Sequence, residues 1–526
     1  MHYPQTQRLP SAAPTTPWMA TIYVVLVALI ISSTGWIALR EGSVRYLKPF
    51  LQEVDVARLT AQARALREAP STESLAEYSP ELGTLSRLTS PQRFAQSGLI
   101  EHGIYLAQMP RINQVLLTAH IFTGVACVLL GGWQFWPALR KRQMRLHRVI
   151  GGLYVVTVPP SVLLSFAYMA LTAPHKLYTH LTAYVALWLV GLVALASVGM
   201  AVWSLKQRRF HEHMGWMALS FACVLVAPIL RLNWVALAWV FPSIDQETLS
   251  LVTMGLMLPE CLMIGYGLIL ANRQQGRAPM RRPAQALAMH SARWFTRSRS
   301  AIWLGVAAVG ATLFTHHIHG LGVASAQAAF KLVPAGLLSR EAAVMTSNPW
   351  LNTTFAWSTT VALALVVLAL GRMLQAHGTQ PAPARLATGS AGGLLTMATA
   401  LLSLVAGSCA LALGWSIGLA PDRAWSAGGT LYTVPGLLIL GFSAHLLHAW
   451  RQGRMGLVKE SLVFLLCLLP FAAIYHLNLW VLQWLPWPEA YLAQHQGHVL
   501  PMGASLVTLF IGMVHAIVGQ ANREHG

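Results

Sequence analysis

The sequence predicts an all-α polytopic membrane protein: about twelve transmembrane helices in two parallel six-helix repeats, each with a four-helix bundle core. Three observations carry this. The 526 residues are 55% hydrophobic and only 10% charged, far below the roughly 25% charge of soluble chains. Uncharged windows of about 20 residues, the length that crosses a bilayer, recur along the chain. Patterns from the first half also return, in the same order, in the second.

Apolar segments fall at 18–39, 114–136, 149–172, 181–204, 214–241 and 250–271. A second set falls at 301–318, 354–374, 391–418, 430–450, 459–484 and 499–519. The first segment reads as a retained span, because its apolar run is long and no small-x-small cleavage site follows. The basic stretches RKRQMRLHR (140–148), KQRR (206–209), 272–300 and RQGRMGLVK (451–459) alternate so as to share one side. The positive-inside rule makes that side, and both termini, cytoplasmic. Segments 40–113, 319–352 and 485–498 then lie outside. The net charge of +19 is explained by those loops, so nucleic acid is not an expected partner. All five cysteines sit in apolar runs, which gives neither a disulfide framework nor a CxxC metal site.

Segment 40–113 holds about half of the acidic residues and helix-like runs such as VARLTAQARALREA. It reads either as a small helical cap or as a flexible tether. The expected units are 1–272, with 40–113 as its outside part; a basic cytoplasmic linker at 273–300; and a degenerate second repeat at 301–526. ILRLNWVALAWVFP (229–242) resembles IYHLNLWVLQWLPWP (474–488), so Arg231 corresponds to His476 and Asn233 to Asn478. RLHRVIGG (145–152) resembles RLATGSAGG (385–393), with Ala387 in place of His147.

Histidines inside spans are costly and read as functional candidates. Span direction places His120 and His180 in the outer parts of spans two and four. His147 and His213 fall at the cytoplasmic mouths of spans three and five. At 1.5 Å rise per residue the two levels lie roughly 20–25 Å apart. Two bis-histidine b-type haems stacked in a four-helix bundle need this arrangement. Gly124, Gly151, Gly152 and Gly215 would leave room for a flat cofactor, and Trp133, Trp188, Trp216 and Tyr154 would line it. Interface or packing histidines are the alternative reading of the same residues.

The set HIFTG, LLGGWQF, LHRVIGGLYV, HMGWM and Arg231-Leu232 resembles the bacterial family of predicted membrane proteins called domain of unknown function 2306. The resemblance covers roughly 114–235. It carries His120, Gln134, Phe135, His147, Arg148, Gly151, Tyr154, His213, Trp216, Met217 and Arg231, but not His180. It implies a bacterial inner-membrane location and lends no established activity. The plan is also analogous to six-helix, two-haem transmembrane cytochromes b, by architecture and not by sequence.

Glu260, mid-span beside Pro259, is expected to pair with Arg231, to relay a proton, or to act with Arg231 on a quinone or haem propionate. His316, His317 and His319, with His476, His495 and His498, are weak outer-face candidates for copper or zinc, and solvated histidines are the favoured reading of the same residues. His445, His448 and His515 lie near the inner face. No P-loop, GxGxxG, GxSxG or HExxH is present. The leading expectation is a haem b electron carrier between a quinone or outside donor and an acceptor. The rivals are a cofactor-free transporter with Glu260 and Arg231 as coupling pair, or a structural subunit docked through 40–113 or the second repeat.

Overall fold

The computed structural model describes residues 31–52, 54–135, 142–273, 295–318, 332–333, 335–379, 391–418, 429–489 and 499–519. Among them the chain is helical, with no strand. Nine helices among the described residues are long and apolar enough to cross a membrane, and one bent pair makes a tenth candidate. The chain is therefore an all-helical polytopic membrane protein. These candidates cover every expected span except 18–39 and 301–318. The former lies mostly outside the described residues. The latter forms a 19-residue helix whose apolar run ends early, at His316 and His317.

The first helix, α1, runs over 31–51 and loosens into a π-helical turn at Gly42–Leu47. Five short helices follow: α2 (Val56–Glu68), α3 (Thr72–Tyr78), α4 (Pro80–Leu88), α5 (Pro91–Ala95) and α6 (Leu99–Gln108). These five helices pack on one another as a helical cap. Its starts are locally encoded. Asp55 accepts from the Arg58 N–H, Ser71 and Ser74 form a reciprocal capping box, and Ser79 caps the helix that Pro80 begins. Leu75, Phe94 and Ile100 are fully buried beneath it.

Four candidate spans follow as α7 (Arg111–Gln134), α8 (Met144–Ala170), α9 (His180–Lys206) and a broken span candidate made of α10 (Phe210–Val224) and α11 (Val226–Val240). The break bends by 55°. Pro228 explains its place, since it has no N–H to offer the Val224 carbonyl one turn back. Helix α7 packs on α8, α8 on α9, α9 on α10, and α10 returns to α7. That closed circuit is a four-helix bundle with α7 and α9 on one diagonal and α8 and α10 on the other. Gly131 lets the bundle close: a Cβ there would fall 2.3 Å from the Phe221 ring and 2.9 Å from Tyr154. Helix α12 (Gln246–Arg273) packs against α9, α10 and α11.

The second half follows as α13 (Arg299–His317), α14 (Ala335–Ser347), α15 (Pro349–Thr379), α16 (Ala391–Ile417), α17 (Gly429–Arg451), α18 (Met455–Leu468), α19 (Phe471–Leu482) and α20 (Val499–Val518). Here α15, α16, α17 and α18 close the same circuit of neighbours. The halves meet through α20, which touches α9, α10 and α12. Across this joint the Tyr266 hydroxyl donates to Glu460 Oε1 at 2.8 Å, and Glu460 is 1% exposed.

Candidate functional site

The predicted inner pair lies on one diagonal of the first bundle, His147 at the start of α8 and His213 at the start of α10. Seven residues further along each helix, the Tyr154 hydroxyl meets Ser220 Oγ at 2.9 Å. That bond sets the register between α8 and α10, so His147 and His213 sit at one level, two turns from it. The predicted outer pair lies on the other diagonal, His120 within α7 and His180 at the first residue of α9.

The ring contacts decide a tautomer. His213 Nδ1 lies 3.0 Å from the Ala201 carbonyl oxygen, His120 Nδ1 2.8 Å from that of Ser161, and His180 Nδ1 3.2 Å from that of His175. A carbonyl oxygen only accepts, so each Nδ1 carries a proton, and in the neutral ring Nε2 is then the nitrogen with the lone pair. Donation of the second ring nitrogen to a carbonyl is also what orients metal-binding histidines. His180 differs in backbone, with φ of 51° after Thr179 at 65°. That left-handed turn ties it to the α8–α9 connection. Of the residues expected to line a cofactor, Tyr154 and Trp216 are buried, and Trp188 stacks on Phe166 at 4.2 Å. Trp133 instead is 50% exposed. Gly152 has open space where a Cβ would stand.

The expected Arg231–Glu260 pair does not form. Arg231 reaches outward to the cap, its Nε 2.8 Å from Glu81 Oε1 and its Nη2 3.2 Å from Oε2. Glu260 instead accepts from Asn233 Nδ2 at 2.8 and 2.7 Å. Residues 231 and 233 project differently from α11, and the cap carboxylate competes for the guanidinium. Sequence reasoning missed Glu81 because it lies 150 residues away. It belongs to a buried network in which Glu41 accepts from Ser79 Oγ at 2.9 Å, from the Glu81 N–H at 3.0 Å and from Arg45 at 3.3 Å. Burial raises the Glu41 carboxyl above its ordinary pKa against the pull of Arg45, and pushes Tyr46 up to about 12. His102, also missed, lies near His180 and packs on Tyr105 and Tyr178. Burial, with Arg45 and His180 nearby, lowers it to about 4.

The second half holds another buried cluster. One ligand atom each from His316, Glu341 and His476 lies within 4.8 Å of the others. His316 and His476 stack with ring centroids 3.6 Å apart. His316 Nε2 is 3.3 Å from Glu341 Oε1, and the Tyr432 hydroxyl donates to the same oxygen at 3.0 Å. Burial raises the Glu341 pKa, but the bonds from His316 and Tyr432 outweigh it and leave the carboxyl below its ordinary value. His317 turns aside to Asn352, its Nδ1 3.1 Å from Oδ1. So His316 and His476 come together and His317 flanks them, all three buried rather than solvated, and Glu341 is the addition. His319, His495 and His498 lie outside the described residues, as does Ala387. His445 and His448 bond to Ser461 and Gln452 respectively.

Comparison with known families places one part of the chain. Residues 117–266 match the model of a family described as predicted membrane protein (DUF2306). The DUF2306 match runs from α7 into α12, so it takes in His120, His147, His180, His213, Arg231 and Glu260. The cap and the second half lie outside it. No curated protein and no solved structure matches the chain.

Proposed function

We propose that the DUF2306 region is a transmembrane b-type haem electron carrier, moving electrons between a quinone or outside donor and an acceptor. The observation that carries this reading is the ring state of the diagonal histidines. His213 and His120 each have Nδ1–H tied to a backbone carbonyl, which turns Nε2 toward the role of iron ligand, and His180 Nδ1 makes the same kind of bond. His147 and His213 form the inner ligand pair, at a level set by the Tyr154–Ser220 bond. His120 and His180 form the outer pair. Haem, when bound, supplies the one-electron chemistry. This chain's own part is to hold the ring nitrogens, keep their tautomer and exclude water with buried Tyr154, Trp216 and Phe221.

Twelve spans in two duplicated halves complete the proposal. The turn before each broken span supports it. Gln207, Arg208, Arg209 and His213 donate to the carbonyls of Trp203, Leu205, Ser204 and Arg209. At one constant offset, Gln452, Gly453, Arg454 and Val458 donate to those of His448, Trp450, Ala449 and Arg454. Arg208 and Gly453 share a left-handed backbone, with φ of 57° and 68°. The same offset relates Arg231 to His476. In this reading the basic loops face the cytoplasm of a bacterial inner membrane, both termini lie on that side, and the cap lies outside.

The visible spectrum of the purified protein tests the function. Soret and α bands that sharpen on dithionite reduction are expected, with one haem equivalent lost in His213→Ala. A colourless protein without iron would refute it. A cofactor-free transporter is the second reading. Glu260 favours it, as a carboxyl within a span that is held by the Asn233 amide and by no cation in the contacts described above.

A further inference from the structure

We propose that His316, Glu341 and His476 bind a divalent first-row transition-metal ion in the second half of the protein. This site is separate from the first bundle and needs no haem there. The three residues come from three helices, α13, α14 and the distant α19, and their ligand atoms converge within 4.8 Å. A tetrahedral ion with metal–nitrogen bonds near 2.0–2.1 Å holds its ligands about 3.3 Å apart. Rotations of the side chains by about an ångström close that gap. The His316–Glu341 separation, 3.3 Å, is already of that size.

Burial and hydrogen bonding give the second argument. His316, Glu341 and His476 are 1%, 6% and 9% exposed. His316 Nδ1 and His317 Nε2 are buried without a hydrogen-bond partner among the described residues. Buried polar atoms left in that state are costly, and they are where an unseen water or ion is to be sought. Two imidazoles and a carboxylate, with no thiolate, suit zinc, ferrous iron or manganese, and leave a coordination position open. Tyr432, donating to Glu341 Oε1, orients the carboxylate in the way outer partners of metal sites do.

The comparison between the halves sharpens the assignment. In the first half the end of α1, the cap and α11 bring together Glu41, Arg45, Glu81 and Arg231. In the second half the end of α13, helix α14 and α19 bring together His316, Glu341 and His476. Arg231 and His476 occupy corresponding positions of the broken spans. Where the first cluster answers its carboxylates with two guanidiniums, the second offers imidazole nitrogens, which accept a metal as guanidinium cannot. The open coordination position makes the site suited to binding a small oxygen ligand at the membrane surface.

Elemental analysis tests this on the full-length protein. The protein is stripped with a chelator, loaded with zinc chloride or a ferrous salt, and desalted. About one equivalent of metal should stay with wild type. His316→Ala, His476→Asn and Glu341→Gln should each reduce it at least tenfold, while His448→Ala should not. Zinc should raise the melting temperature of wild type but not of those three variants, which separates lost binding from lost folding. Haem measured as its pyridine complex in the same samples should be unchanged, so failure here leaves the haem reading standing, and the reverse. Wild type that retains no metal, or variants that retain as much as wild type, would overturn the assignment.

Discussion

Arg231→Ala should release the cap from the first bundle. The guanidinium makes two bonds to Glu81, at 2.8 and 3.2 Å, and lies over the Trp234 ring at 5.6 Å. The Glu81 side chain is 14% exposed and that of Arg231 35%. A fully buried pair broken on one side costs about 3–5 kcal/mol, and an exposed pair contributes about 0–1. This pair sits between those limits, so the loss is about 2 kcal/mol, or about 30-fold in the equilibrium for local opening. Hydrogen exchange of the full-length protein in detergent reads it directly. Amides of α3 and α4 should lose about 30-fold in protection, while those of α8 and α10 hold theirs. Glu81→Gln should behave similarly, and the double variant should cost little more than either alone. If Arg231→Ala changes cap protection by less than about threefold, or if the two substitutions simply add, the clasp is not what holds the cap.

Three other outcomes follow from the packing and ionisation. Gly131→Ala should destabilise the first bundle by about 1–3 kcal/mol through overpacking against Phe221 and Tyr154; thermal unfolding in detergent measures it, and unchanged stability would mean the bundle is looser than its contacts indicate. Tyr266→Phe removes a hydrogen bond to buried Glu460 between the halves and should cost about 1 kcal/mol, read as easier unfolding in mixed micelles; no change would show that other contacts hold the joint. His102 has a lowered pKa in the fold, about 4 against an ordinary 6.5, so its contribution is complete above pH 6.5 and is lost as pH falls toward 4. The loss is up to about 3 kcal/mol, and His102→Leu should flatten the acid side of the stability profile; equal slopes in both proteins would assign the acid sensitivity elsewhere.

Composition made the fold class legible, since apolar runs near bilayer length leave helices as the economical answer. Span boundaries at α7, α9 and α17 followed from the same runs. The break inside 214–241 did not, although Pro228 was visible, because a proline in a span bends it only where tertiary packing permits. His147 and His213 were legible from depth along alternate spans, and their diagonal placement needed only the order of helices. The Arg231 partner was not legible, because Glu81 reaches it from a segment whose choice between cap and tether the sequence left open. Glu341 carried one signal, being one of few acidic residues after the basic linker. Its meeting with His316 and His476 depends on three helices converging, which no local pattern encodes.

The clasp between the cap and the broken span also has a consequence in time. The cap bonds through Glu81 to Arg231, through Arg93 to the carbonyls of Pro242 and Ile244, and through the Gly98 N–H to Glu247. Each partner lies about 150 residues further along the chain. At 5–20 residues per second of synthesis, the cap emerges about 8–30 s before anything exists for it to fasten to. During that interval its order rests on its own helix caps and on Leu75 and Ile100, because Phe94 packs on Trp234, which is made later. The nascent protein therefore passes through a stage in which protease or chaperone access to the cap is decided by translation speed.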